Sequence, residues 1–102
     1  MKVFVLGAGT WGTALSGVLI ENNHEIILWH LDKSIVDSML KTRVHPNLNN
    51  YLMPAEIEIT NSLEKISECD VLLITVPSQF VRAVLKRIPP IRENALIVFG
   101  SK

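Results

Sequence analysis

The feature that most constrains this chain is the run Val3-Phe4-Val5-Leu6-Gly7-Ala8-Gly9-Thr10-Trp11-Gly12. Four apolar residues lead into Gly-x-Gly-x-x-Gly, and Ala14, Leu15, Val18 and Leu19 follow at helical spacing. Strand, tight turn and helix start in that order are the context in which the glycine pattern predicts a dinucleotide-binding turn, whereas the pattern alone also occurs in unrelated turns. Each glycine has a separate task. Gly7 lets the chain turn sharply off the strand, Gly9 lets a pyrophosphate approach the backbone, and Gly12 lets the helix pack closely on the strand. The helix N-terminus then presents unpaired N–H groups and the positive end of its dipole to phosphate.

The rest of the chain alternates in the same way. After a strand over residues 2–6 and a helix over 10–22, residues 25–29 form a short apolar strand of the kind buried on both faces of a parallel sheet. Ile35, Val36, Met39 and Leu40 repeat at helical spacing and predict a helix over 34–41. Ser34 with Asp37 resembles a capping signature, and Asp32 is the other candidate cap. Residues 43–54, rich in Asn and carrying Pro46 and Pro54, form a loop. A short strand over 56–60, near a sheet edge, precedes a short helix that starts at 61 or 62 and ends at 66. Residues 71–76 are the strongest central strand. A helix over 79–87 is stopped by Pro89-Pro90, and 95–99 is the last strand.

This pattern predicts an α/β fold: a Rossmann-like, doubly wound parallel sheet over residues 1–102. Met1-Lys2-Val3 runs straight into a strand and reads as a native start. The last residues follow an apolar strand where such a fold continues into a helix. The expectation is therefore the N-terminal part of a longer two-domain protein, with the cofactor domain incomplete at its C-terminal end and a helical substrate domain beyond it.

Composition narrows the function classes. Of 102 residues, ten are basic and ten acidic, so the formal charge of zero offers no electrostatic attraction to nucleic acid or to an acidic membrane surface. No apolar run is long enough to span a bilayer. The one cysteine, Cys69, excludes an internal disulfide, has no partner at metal-ligand spacing, and reads as a buried, inert thiol. With no signal peptide evident, a cytoplasmic location is expected.

Ligands of open parallel sheets bind beyond the carboxyl ends of the strands. Here those ends are Gly7 to Gly12, His30-Leu31-Asp32, Val76-Pro77-Ser78 and Gly100-Ser101-Lys102. Asp32 lies 20 residues after Gly12, where an acidic residue binds the adenosine ribose, and it is equally placed to cap the next helix. His30 stands nearer the strand tip, against adenine or ribose, or is an exposed loop histidine. No arginine occurs at residues 30 to 32 to pair with a 2′-phosphate, and Lys33 is the nearest permanent cation, so NAD and NADP both remain open. Trp11 either walls the cofactor cleft or packs in the core, and packing is slightly favoured. His24 and His45 have no partners at metal or catalytic spacing, Glu64, Lys65 and Glu68 look like a solvated face, and no nucleophile–base arrangement is present.

Taken together, Gly7-Ala8-Gly9-Thr10-Trp11-Gly12-Thr13-Ala14-Leu15, Leu28-Trp29, Val76-Pro77-Ser78-Gln79 and Ser101-Lys102 resemble bacterial-type NAD(P)-dependent glycerol-3-phosphate dehydrogenase. The resemblance covers all 102 residues but only that family's cofactor domain. It implies hydride transfer between a nicotinamide (NAD or NADP) and the pair glycerol 3-phosphate and dihydroxyacetone phosphate, in the supply of glycerophospholipid precursors. It implies that Thr10 and Trp11 touch the cofactor at the phosphate turn, and that His30 and Leu31 sit by the adenosine. Pro77 and Phe80 would line the nicotinamide or the adenine side, and Lys102 would reach both cofactor and substrate, unless it is a frayed terminal lysine. The principal catalytic lysine is expected in the missing domain. Two departures stand out. His30 and Leu31 replace an arginine that often follows the strand-two tryptophan, and Asn50-Tyr51-Leu52-Met53-Pro54 only loosely matches the Tyr-Leu-Pro segment. Other readings are a related β-hydroxyacid or ketopantoate-type dehydrogenase, and an NAD(H)-binding regulatory module without chemistry. The oligomeric state of the whole protein, a homodimer among the options, is left open.

Overall fold

The computed structural model describes residues 1–48 and 51–100. Five strands form one sheet: β1 (Lys2–Leu6), β2 (Glu25–Trp29), β3 (Glu58–Thr60), β4 (Val71–Ile74) and β5 (Leu96–Phe99). Their spatial order is β3-β2-β1-β4-β5 and every pairing is parallel. Helices α1 (Thr10–Glu21), α2 (Lys33–Thr42) and α3 (Val81–Leu85) connect them, with 3₁₀ turns at Glu64–Glu68 and Ser78–Phe80. The doubly wound parallel sheet expected from the sequence is present.

Why the strands read as unbroken apolar runs is visible in their faces. Side chains alternate along a strand, so Val3 and Val5 of β1 join one core with Ile26 and Leu28 of β2, under Leu15 and Leu19 of α1 and Val36 and Met39 of α2. Phe4 and Leu6 join the opposite core with Ile27, Trp29, Leu72 and Ile74, covered by Ile66, Val81 and Val84. A strand buried on both faces has no polar phase to show.

Several boundaries move. The strand expected over 56–60 is only Glu58–Thr60, at the sheet edge as anticipated. The short helix expected from 61 or 62 to 66 is a 3₁₀ segment, Glu64–Glu68. The helix expected over 79–87 is a 3₁₀ turn followed by the short α3. The central strand ends at Ile74; the Thr75 amide adds one more bond of the same ladder, to Leu6 O, and its hydroxyl donates to Gly7 O.

Helix α1 departs from its apolar pattern. Its buried stripe is Gly12, Thr13, Ser16 and Gly17, and Val18 is exposed. Small residues let the helix backbone approach the sheet, and the 3.6-residue period then carries Trp11, Ala14 and Val18 to the outer side. Trp11 is 46% exposed, which corrects the expectation that it packs in the core. Cys69 is fully buried, and burial pushes its thiol above the ordinary range, in keeping with an inert side chain. Among the described residues no helix is long and apolar enough to cross a membrane.

Candidate functional site

The strand order reverses direction between β1 and β4: from β1 the chain winds out to β2 and β3, then crosses back to β4. The carboxyl ends of strands at such a reversal leave a crevice. In this protein it is a cleft of about 280 Å³ lined by Gly7, Ala8, Gly9, Trp29, His30, Leu31, Thr75, Val76, Pro77, Phe80 and Val84. Six residues singled out from the sequence, Gly7, Gly9, His30, Leu31, Pro77 and Phe80, therefore share one cavity. Thr10, Trp11 and Gly12 adjoin it on the first turn of α1 without lining it. Ser101 and Lys102 lie outside the described residues.

The glycines behave differently from one another. Gly7 has φ +136°, and a Cβ there would lie 2.6 Å from Val76 N, so only glycine turns the chain at this point. A Cβ on Gly12 would overlap the Gly7 carbonyl oxygen. A Cβ on Gly9 would meet nothing within 4 Å. Gly7 and Gly12 are thus required by the protein's own packing, whereas the space above Gly9 is open.

The turn's carbonyls point into the protein. Gly7 O accepts from Thr75 Oγ1 at 2.8 Å, Ala8 O from His45 Nε2 at 2.8 Å, and Gly9 O from Thr13 N at 3.0 Å. The N–H groups of Gly7 and Ala8 both reach Trp29 O, at 3.1 and 2.8 Å. Gly9 is the N-cap of α1 and gives it no side-chain cap; no acidic residue stands in the first turn. An anion at this helix start meets no competing carboxylate from the helix itself.

The β2 end is built otherwise. Asp32 caps α2: Oδ1 accepts from Ser34 N at 2.9 Å and from Ser34 Oγ at 2.7 Å. These bonds hold its carboxyl below the usual range. The capping role expected of either Ser34 or Asp32 falls to Asp32. His30 is half-buried, and its Nδ1 accepts from Asp32 N at 2.9 Å. Burial lowers the His30 pKa, partly offset by the Asp32 charge. A neutral ring at physiological pH gives a 2′-phosphate no cation.

Leu31 and Phe80 are 58% and 52% exposed at the rim, and the buried Trp29 and Val84 lie deeper. The cleft thus combines apolar walls, suited to flat rings, with one polar backbone turn. A larger cavity, about 610 Å³, opens at the opposite ends of the strands and is lined by charged groups including Lys2, Glu25, Glu58, Lys65 and Glu68. Several of these groups pair with one another, as Lys65 with Glu58 at 2.9 Å and Lys2 with Glu68 at 3.3 Å. Among the described residues no cluster of His, Cys, Asp and Glu side chains is arranged to hold a metal ion.

Residues 2–102 match the family described as NAD-dependent glycerol-3-phosphate dehydrogenase N-terminus. The chain belongs to this family. It is 41% identical over 91 residues to a glycerol-3-phosphate dehydrogenase (NAD(P)+) of Thermotoga sp. (strain RQ2), covering 87% of this chain and 27% of that protein. Its fold superposes on the crystal structure of glycerol-3-phosphate dehydrogenase from Coxiella burnetii with a TM-score of 0.86 at 32% identity, covering 99% of this chain and 32% of that one. Synechocystis arogenate dehydrogenase shares the fold, with a TM-score of 0.75 at 19% identity over 97% of this chain and 32% of that chain. The chain thus spans less than a third of the length of these relatives. The family resemblance carried by the glycine turn, Leu28-Trp29 and Val76-Pro77-Ser78 is confirmed.

Sequence reasoning misses two members of the site. Thr75 is signalled only by a hydroxyl inside an apolar run. His45 has no signal at all, because its partner is a backbone carbonyl 37 residues away.

Proposed function

We propose that this chain is the nicotinamide-dinucleotide-binding part of a glycerol-3-phosphate dehydrogenase, which interconverts sn-glycerol 3-phosphate and dihydroxyacetone phosphate. The observation that carries the proposal is the open space at Gly9 beside an uncapped helix start, in a turn otherwise fully bonded to the protein. The diphosphate of NAD(H) has the charge and shape for that position. Gly9 and the first turn of α1, with Thr10 and Trp11, bind it; His30 and Leu31 lie along the adenosine; Pro77 and Phe80 hold a ring against the β4 side of the cleft. The bound nicotinamide supplies the hydride.

Within this chain the work is binding, orientation and exclusion of water by the apolar walls. Lys102 is the one residue proposed to reach substrate as well as cofactor. A further lysine or acid to stabilise and protonate the developing alkoxide belongs to the remainder of the longer protein, as does any homodimer contact. The lowered His30 pKa and the absence of arginine at residues 30 to 32 favour NAD over NADP.

Following NADH absorbance with dihydroxyacetone phosphate tests this directly. The 102-residue chain is expected to bind NADH without turnover, and the extended polypeptide to turn over. Robust turnover by the short chain would place the catalytic groups within residues 1–102 and overturn this division of labour. Tight NADH binding without turnover by the long chain favours a regulatory module or a sister dehydrogenase.

A further inference from the structure

We infer that His45 is a positioning residue for the dinucleotide turn, holding the Ala8–Gly9 peptide in the orientation that presents the Gly9 N–H to the diphosphate; this rests on the dinucleotide reading above. His45 is 5% exposed, far from solvent for a histidine in a loop. Its two ring nitrogens face opposite kinds of partner. Ala8 O only accepts, so Nε2 carries the hydrogen; Asn47 N only donates, at 3.0 Å, so Nδ1 accepts. One ring therefore joins the loop after α2 to the middle of the glycine turn.

The ring is held in place from the loop side. Arg43 sits at φ 59°, where it ends α2, and its guanidinium bonds the carbonyls of Pro54 and Ile57. Met53 N donates to Arg43 O at 2.7 Å, and Val44 pairs with Leu52. The loop is thus a closed unit that reaches the turn through His45.

The consequence follows from peptide geometry. In a trans peptide the C=O and the N–H point in opposite directions. With the Ala8 carbonyl drawn toward His45, the Gly9 N–H points away from it, and that N–H donates to no described residue. Gly7 and Ala8 already spend their N–H groups on Trp29 O. Gly9 supplies the first free donor of the turn, and His45 sets its direction.

Two near-isosteric substitutions separate this role from simple loop stability. His45→Gln keeps a donor at the Nε2 position and loses the acceptor facing Asn47. His45→Asn keeps the acceptor and loses the donor facing Ala8. Each is titrated with NADH by fluorescence at a temperature where circular dichroism shows it folded. The expected result is an H45N Kd raised about tenfold and an H45Q Kd within about threefold of wild type, whatever their relative melting temperatures. Equal Kd values for H45N and wild type, or equal losses in H45N and H45Q, overturn the assignment. A measurement on wild type serves if H45N does not fold. A new hydrogen bond from the Gly9 N–H polarises the same peptide whose carbonyl faces His45, so saturating NADH is expected to shift the His45 imidazole ¹⁵N resonances, and an unmoved spectrum overturns the inference. Failure of wild type to bind NADH at all overturns the dinucleotide reading and this inference together, whereas normal wild-type binding with insensitive variants overturns only the role of His45.

Discussion

Helices α1 and α2 start at neighbouring strand ends, one after β1 and one after β2, yet their first turns are finished in different ways. Helix α2 begins at Asp32, whose carboxylate accepts the Ser34 amide and hydroxyl. Helix α1 begins at Gly9 with no side-chain cap and no acid in its first turn. The two starts show how the same local problem, orphan N–H groups at a helix end, is met by a side chain in one case and by none in the other, where the proposed diphosphate would sit. The glycine turn repeats the contrast on a smaller scale: Gly7 and Gly12 are demanded by the fold, whereas the space above Gly9 is open, where the diphosphate is proposed to approach.

That contrast is broken most severely at Gly12. Gly12→Val drives a side chain into the Gly7 carbonyl, and a destabilisation of about 3 kcal/mol or more is expected from overpacking. Urea unfolding measures it; a variant as stable as wild type shows that α1 does not pack as described. Next comes Gly9→Val, whose side chain enters open space. NADH affinity should fall about 100-fold while the melting temperature stays within about 2 °C of wild type. Equal affinities in wild type and variant remove the phosphate-turn reading.

A smaller effect belongs to the capped helix. Asp32→Ala should lower the melting temperature modestly. The Asp32 carboxyl titrates below its ordinary value in the folded chain, so it binds fewer protons folded than unfolded. Its contribution is complete above the usual carboxylate range and is lost as pH falls through the lowered folded value. The gap between wild type and D32A should therefore be constant from about pH 6 to 7 and close in strong acid; a gap that widens in acid contradicts the capping role. The smallest effect is cofactor choice. With a neutral His30 and no arginine at residues 30 to 32, Kd values for NADH and NADPH should be similar or favour NADH. A preference of about 100-fold for NADPH would require a cation at the 2′-phosphate from outside residues 30 to 32 and would contradict this assignment.

How far the sequence can be read depends on the range of the interaction. β1, β2 and the glycine turn are readable because their determinants are contiguous: an apolar run, a forced φ at Gly7, a close approach at Gly12. The cap at Asp32 is readable as a choice between two nearby residues. The face of α1 is readable only in part: of Ala14, Leu15, Val18 and Leu19, the two leucines pack on the core, but Ala14 and Val18 lie outside, and the small residues Gly12, Thr13, Ser16 and Gly17 win the sheet by allowing closer packing. The core packing slightly favoured for Trp11 fails for the same reason. His45 is invisible because a side chain bonded to a distant backbone carbonyl leaves no spacing to detect.

The central claim is that a nicotinamide dinucleotide occupies the cleft at the carboxyl ends of β1, β2 and β4. Backbone amide chemical shifts recorded on titration with NADH test it residue by residue. Saturable changes are predicted at Gly7 to Gly12, His30 and Leu31, Val76, and Ser78 to Phe80, with Glu25, Glu56, Glu58 and Lys65 around the larger cavity unmoved. Changes centred on that opposite cavity, or none at the glycine turn, would contradict it.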